Sequence, residues 1–347
     1  MKTFNAKFLS LVTLAALTAC GGGGGGAPAG GATAPVVTAA PADTSFPANF
    51  VNSVPTPTFA PGSEELAAFN LLNAERTQCG FGKLAQNAQL DAAARAHADY
   101  QIKNNLFSHL ENQIQFPAGY TGDDDIARIA FQGYGDLGQA TDEIASVTGT
   151  NTKTGQGEKG IRGLLGAPYH LNGLVAGFRD VGMSVRSAID VSSSNPRVVL
   201  QVNPAYKNAA GPQLMASSDV LTYPCEGSTG VDRQLLNETP NPVPGRNLAN
   251  QPLGTAILIV VREGRTVRVT SSSVTKISSG ASVVMRAAID DSNDPSGPCT
   301  RGCFLSHQAY VIPDGPLDAN SAYQAIVNGT NNGISFSRSF RFVTGAN

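Results

Sequence analysis

Apolar residues recur at helical spacing in two consecutive stretches. Leu66, Phe69, Leu71 and Leu72 follow Ser63, a residue type that caps helix starts, and the acidic pair Glu64 and Glu65. That order predicts a helix over 64–77. Cys79-Gly80-Phe81-Gly82 interrupts it. Leu90, Ala94, Ala98 and Ile102, four residues apart, then predict a second helix over 88–106. Weaker patterns predict helices over 136–147 and 160–175, and alternation predicts strands over 181–189 and 197–202. Such a mixture indicates the α+β class. Beyond Pro224 the pattern changes: 224–252 is rich in proline and turns, and six short β-rich runs follow over 255–261, 266–271, 282–289, 308–312, 322–327 and 335–343. They read as an antiparallel β-sandwich of immunoglobulin-like (Ig-like) type.

The amino terminus has a different character. Lys2 and Lys7 flank the start of an apolar run over 8–16, shorter than the roughly 20 residues that span a bilayer, so 1–19 reads as a cleaved signal peptide. Leu17-Thr18-Ala19-Cys20 resembles the lipobox of bacterial lipoproteins, which implies lipidation of Cys20 and a membrane partner through that lipid; ordinary secretion is the other reading. Unbroken glycine from Gly21 to Gly26 opens a stretch of mainly Ala, Pro, Thr and Val that reads as a flexible linker over 20–62.

With 347 residues the chain exceeds what one hydrophobic core usually serves. The expected order is signal peptide 1–19, linker 20–62, an α+β domain 63–223, a Pro-rich connector 224–252 and the β-sandwich 253–347. Charged residues are 14% of the chain and the net charge is −2, so no basic surface exists for phosphate backbones and nucleic acid is excluded as a partner. Beyond Cys20, the cysteines are Cys79, Cys225, Cys299 and Cys303, an even set that predicts disulfides in an oxidising compartment. Of three connectivities, the local pair Cys299–Cys303 is favoured and leaves Cys79–Cys225; Cys299, Cys303 and His307 are also spaced like metal ligands, without a fourth.

Leu72-Asn73-Ala74-Glu75-Arg76, Leu90-Asp91 through His97-Ala98, Phe107-Ser108-His109, Arg128 with Gly133-Tyr134, Asp142-Glu143-Ile144-Ala145, Pro168-Tyr169-His170-Leu171-Asn172 and Val181-Gly182-Met183 occur in the order seen in bacterial CAP domains. Over 64–206 the chain resembles the CAP superfamily, also called the SCP domain, which includes cysteine-rich secretory, antigen 5 and pathogenesis-related proteins. The resemblance implies a three-layer α-β-α sandwich with a cleft of two histidines and one or two carboxylates. His109 and His170 match the histidines. Glu143 matches the carboxylate, with its register open by one residue because the motif's Gly and Asn are missing. The second carboxylate has no clear match, and Glu158 is near in sequence. The closing 316–345 resembles the end of bacterial Ig-like domains.

Two imidazoles and a carboxylate suit zinc or another divalent ion, or a proton-transfer pair. His97, beside the Ala94 and Ala98 stripe, reads as a packing histidine. Gly155-Gln156-Gly157-Glu158-Lys159-Gly160 matches GxGxxG but follows polar residues where a dinucleotide site needs an apolar strand. Neither GxSxG nor HExxH occurs. Asp290, Ser292 and Asp294 begin a calcium-loop spacing that Pro295 breaks, and Asp123-Asp124-Asp125 reads as a solvated loop. The function expected is a lipid-anchored, cell-envelope binding module, on the periplasmic side or the surface, for a lipid or other small apolar molecule, a peptide or a cell-wall component, and not an enzyme. The alternative is a metal-assisted hydrolase using His109 and His170.

Overall fold

The computed structural model describes residues 45–297 and 303–346. Helix α1 (Glu64–Gln78) starts where the Ser63 hydroxyl accepts from Leu66 N. The short strand β1 (Ala85–Gln86) precedes α2 (Ala88–Lys103), which Asn87 caps through Gln89 N and Leu90 N. Asp124 caps α3 (Asp125–Phe131). Strands β2 (Leu137–Ala140) and β3 (Glu143–Thr148) follow, then helices α4 (Gln156–Gly166) and α5 (Pro168–Val175) and strands β4 (Asp180–Ser187) and β5 (Arg197–Lys207).

These strands form one sheet in the order β1-β4-β5-β2, with β3 also paired to β5. Strand β5 shows how the layers arise. It is buried along most of its length, and its residues alternate between two cores as a strand's must. Val198, Leu200 and Val202 pack with α1, α4 and α5 residues such as Phe69, Leu72, Ile161 and Leu171. Val199 and Ala205 face the α2 side, with Ala98 and Ile102 around the first and Leu90 and Ala93 around the second. Helices therefore cover both faces of the sheet, as the three-layer expectation has it, and the fold is α+β.

The rest of the chain builds two further sheets. One has the order β10-β11-β8-β6, from β6 (Leu221–Tyr223), β8 (Ile257–Val260), β10 (Ile289–Asp290) and β11 (Gln308–Val311). The other has the order β7-β13-β12-β9, from β7 (Ser228–Val231), β9 (Val267–Lys276), β12 (Ala322–Asn331) and β13 (Ile334–Thr344). Their strand pairs are antiparallel except β7 with β13, which is parallel. Ile257 and Ile259 of β8 join Tyr323, Val327 and Phe342 of the outer sheet in one core. Leu258 and Val260, on the other face of β8, join the core of the helical part. The sheet containing β8 is thus a middle layer, buried on both sides.

Several expectations change. The stretch 136–147 forms β2 and β3, not a helix, because Ile144 and Val147 pair along β5. The helical stretch 160–175 is two helices broken at Ala167, with Pro168 opening the second, where its missing N–H costs nothing. The aspartates read as a solvated loop supply the cap of α3. β6 and β7, before or inside the expected connector, belong to the later sheets. Within the expected linker, residues 45–59 lie along the folded body: Asn49 N donates to Leu214 O, Lys83 N to Val51 O, and Phe59 meets Phe69 edge-on. Phe50 and Phe59, packed against the core of the helical part, give this segment the apolar anchors that its Pro and Ala lack.

Cys79 and Cys225 form a disulfide with 5.4 Å between their Cα atoms, joining the end of α1 to the segment between β6 and β7. Cys303 is disulfide-bonded; Cys299, its expected partner, lies outside the described residues, as do the signal peptide and Cys20.

Candidate functional site

His109 lies in the loop after α2, and that loop is held from beneath. His97, fully buried on α2, places Nδ1 2.9 Å from Glu111 Oε1 and Nε2 2.9 Å from Ser108 O. Glu111 in turn accepts from Thr121 N and Gly122 N. His97 is therefore less a packing residue than a polar pin for the segment carrying His109. His170 is on the first turn of α5, whose flanking Ala167 has no side chain to cap it. Glu238 does so instead, its Oε1 accepting at 2.9 Å from the N–H of Tyr169, 69 positions earlier. A carboxylate at a helix N-terminus satisfies free N–H groups and meets the positive end of the helix dipole.

The two imidazoles come together, ring centroids 5.8 Å apart and planes 28° from parallel. Each has its own carboxylate. His109 Nδ1 is 3.1 Å from Asp142 Oδ1, and His170 Nδ1 is 2.6 Å from Glu143 Oε2. The register question raised by the sequence has a simple outcome: both neighbouring carboxylates serve, one per histidine. Asp142 Oδ2 also accepts from Nη2 of the fully buried Arg128 at 2.8 Å. Glu238 Oε2, buried and without a hydrogen-bond partner among the described residues, lies 3.9 Å from His170 Nε2. Glu158 is exposed on α4 and takes no part.

Charge follows from this packing. Burial alone would lower the pKa of His170, but the hydrogen bond and charge of Glu143, with Glu238 and Asp142 behind, raise it to about 9. Burial pushes Glu238 up to about 7 against the pull of His170, and pushes Glu143 up as well. His109 also moves up, because Asp142 outweighs its burial. Asp142 itself is held down by His109 and Arg128 despite being buried. His170 is therefore the strongest base of the cleft, and His109, 47% exposed in its side chain, is the more accessible ring.

Among the described residues no group of three or more His, Cys, Asp or Glu side chains is arranged to hold a metal ion. Both Nδ1 atoms are committed to carboxylates, so a divalent ion at the site expected of His109, Glu143 and His170 would have to take the Nε2 atoms, with the carboxylates orienting the rings from behind. The other cation candidates are also committed. Asp290 accepts from Ser292, and Asp294 from Tyr169 Oη and Phe304 N. The GxGxxG stretch meets an anion of the chain's own: Glu64 accepts from Gly155 N and Gly157 N at 2.9 and 2.8 Å, where a phosphate would have to sit.

Arg128 and Asp142 stood within sequence motifs, whereas Glu111 and Glu238 carried no signal. Glu238 in particular comes from the expected connector, and only the packing of α5 against the later sheets brings it in.

The chain is similar to parts of solved structures, and two of these each cover less than half of it. One of them is an SCP-domain protein. It is an extracellular protein from Bacillus anthracis, 19% identical, with a TM-score of 0.32 over 44% of this chain and 45% of that one. Another is an outer surface protein of Borrelia burgdorferi, 12% identical, with a TM-score of 0.34 over 43% of this chain and 97% of that one. No family model and no curated protein matches the sequence. Among the described residues no helix is long and apolar enough to cross a membrane.

Proposed function

We propose that the protein is an extracellular, CAP-like binding module of a bacterial envelope, tethered through lipid on Cys20, whose histidine cleft takes a hydrogen-bond-accepting or anionic group of a peptide or cell-wall component. The observation that supports this most is the pairing of each Nδ1 with a buried carboxylate. Such pairing fixes ring orientation, and on His170, whose pKa is raised to about 9 so that the ring is protonated at neutral pH, it leaves Nε2–H as a donor. Among the described residues no serine, threonine or cysteine is hydrogen-bonded to either ring, so neither histidine is coupled to a nucleophile in the way acyl transfer requires. The middle sheet supports α5 through β8, and the outer sheet offers a second surface. In cosedimentation with purified peptidoglycan, the His109→Ala/His170→Ala double variant is expected to bind about tenfold more weakly, a loss of roughly 1.4 kcal/mol. Equal binding by the folded variant removes the reading.

One observation favours a hydrolase instead. Glu238 Oε2, buried and unpaired beside His170, has the surroundings of an acid-base group. Hydrolysis of a peptidoglycan fragment that is lost in Glu238→Gln and retained in wild type would establish that role.

A further inference from the structure

A second concavity opens where the segment 45–59, the end of α5 and the middle sheet meet. It has a volume of about 120 Å³. Phe50, Phe81, Phe178, Tyr206, Met215 and Val260 are among the residues of its wall. The polar side chains among them are nearly all engaged within the protein. Gln213 accepts from Val51 N and donates to Lys83 O and Phe178 O. Arg76 donates to the carbonyls of Gly82, Leu174 and Ala176. Asn172 Oδ1 accepts from Tyr310 Oη at 2.5 Å.

His307 is different. It lines the same concavity, and its imidazole makes no hydrogen bond, ion pair or ring contact with any described residue. Burial alone lowers its pKa to about 4, so at neutral pH it is an uncharged ring with one N–H donor and one acceptor nitrogen. The ring is only partly buried, so its nitrogens are open to a polar group of a molecule that enters from solvent, in place of water. Glu263, also on the wall and exposed to solvent, opposes the entry of an anion, and Arg76 is too fully committed to receive one.

We propose that this recess binds a small uncharged amphiphile, an alkyl chain of a few carbons lying along the aromatic wall with its hydroxyl or amide group on His307. The volume sets the size. Drug-sized ligands fill about 300 Å³ or more, while 120 Å³ suits a short chain or the end of a longer one. The site is built from residues other than those of the histidine cleft, although α5 contributes to both, so its test stands apart from that of the cleft.

The test uses 1-butanol, 1-pentanol, 1-hexanol, hexanoate and hexylammonium as probes, titrated into the purified protein and followed by amide and imidazole chemical shifts. Saturable binding is expected for the alcohols, tightening by about fourfold per added CH₂, with shifts centred on His307, Phe178 and Val260. Hexanoate and hexylammonium are expected to bind far more weakly than 1-hexanol. His307→Leu is expected to weaken 1-hexanol by about fivefold, the value of one net hydrogen bond, and Ala176→Leu to block it. Absence of saturable alcohol binding, or shifts that lie elsewhere in the fold, overturns the proposal. So does full binding by folded Ala176→Leu. If that variant does not fold, the wild-type shift map decides alone. Equal affinity for hexanoate and 1-hexanol overturns the uncharged headgroup.

Discussion

Glu238 has two oxygens with separate tasks: one caps α5, and the other is buried 3.9 Å from His170 Nε2. Its charge is one of the influences that hold His170 at about 9. Glu238→Gln keeps an acceptor for Tyr169 N but removes that charge, so an NMR titration of His170 is expected to show a lower pKa than in wild type with the helix retained. An unchanged titration would mean that Glu143 and Asp142 set the value without it. The same groups give stability a sign with pH. A histidine raised in the fold binds a proton that the unfolded chain has released above its ordinary pKa of about 6.5. A carboxyl raised to about 7 does the same between its unfolded value and that pH. The cleft's contribution to stability is therefore greatest in mild acid and declines as pH rises, first through about 7 as Glu238 ionises and then through about 9 as His170 loses its proton. Denaturant midpoints of wild type and Glu238→Gln along that range are expected to converge at the acid end, where Glu238 is already neutral.

Helix α2 approaches β4 closely. A Cβ on Gly182 of β4 would stand 2.0 Å from the carbonyl carbon of Leu90, so the helix backbone rests directly on the strand there. Gly182→Ala is expected to cost about 1–3 kcal/mol in denaturant unfolding, as overpacking does when backbone must move. Much of this level was legible in the sequence. Ser63 with Glu64 and Glu65 marks a helix start by local hydrogen bonding, and the four-residue steps from Leu90 to Ile102 mark a helical face, neither of which needs a distant partner. The stretch 136–147 was not legible, because its strands exist only by pairing with β5, some sixty residues further along. The site divides the same way. His109, Glu143 and His170 sit in local motifs, but Glu238 and Glu111 enter through packing and have no local signature. Asp142 was visible only as the neighbour that might equally have been the motif's carboxylate.

For the whole molecule, the expected boundary after the helical part does not separate two cores. Leu258, Val260, Tyr310 and Ile312 share a core with Leu72, Leu171 and Leu174. A chain ending at residue 223 would leave that face open to water and is expected to aggregate or to lack cooperative unfolding by calorimetry; a soluble, cooperatively folding fragment would show that the helical part closes its own core. The Cys79–Cys225 bridge spans 146 positions, and Cys79→Ser with Cys225→Ser is expected to lower unfolding free energy by about 2–5 kcal/mol. Cys20→Ala is expected to leave the protein unlipidated, which fractionation of membranes from soluble material would detect. The segment 45–59 gives the molecule a mechanical property. Its bonds are strung in chain order, Phe46 to Ser217, Asn49 to Leu214, Val51 to Gln213 and Thr58 to Gln86. Tension arriving from the N-terminal side meets them one after another, and each parts before the next is loaded. The helical body beyond Ser63 feels the pull only after the strap has peeled. Because Phe50 also walls the recess beside His307, a molecule seated there would have to be uncovered for the strap to leave, and force and occupancy would work against each other.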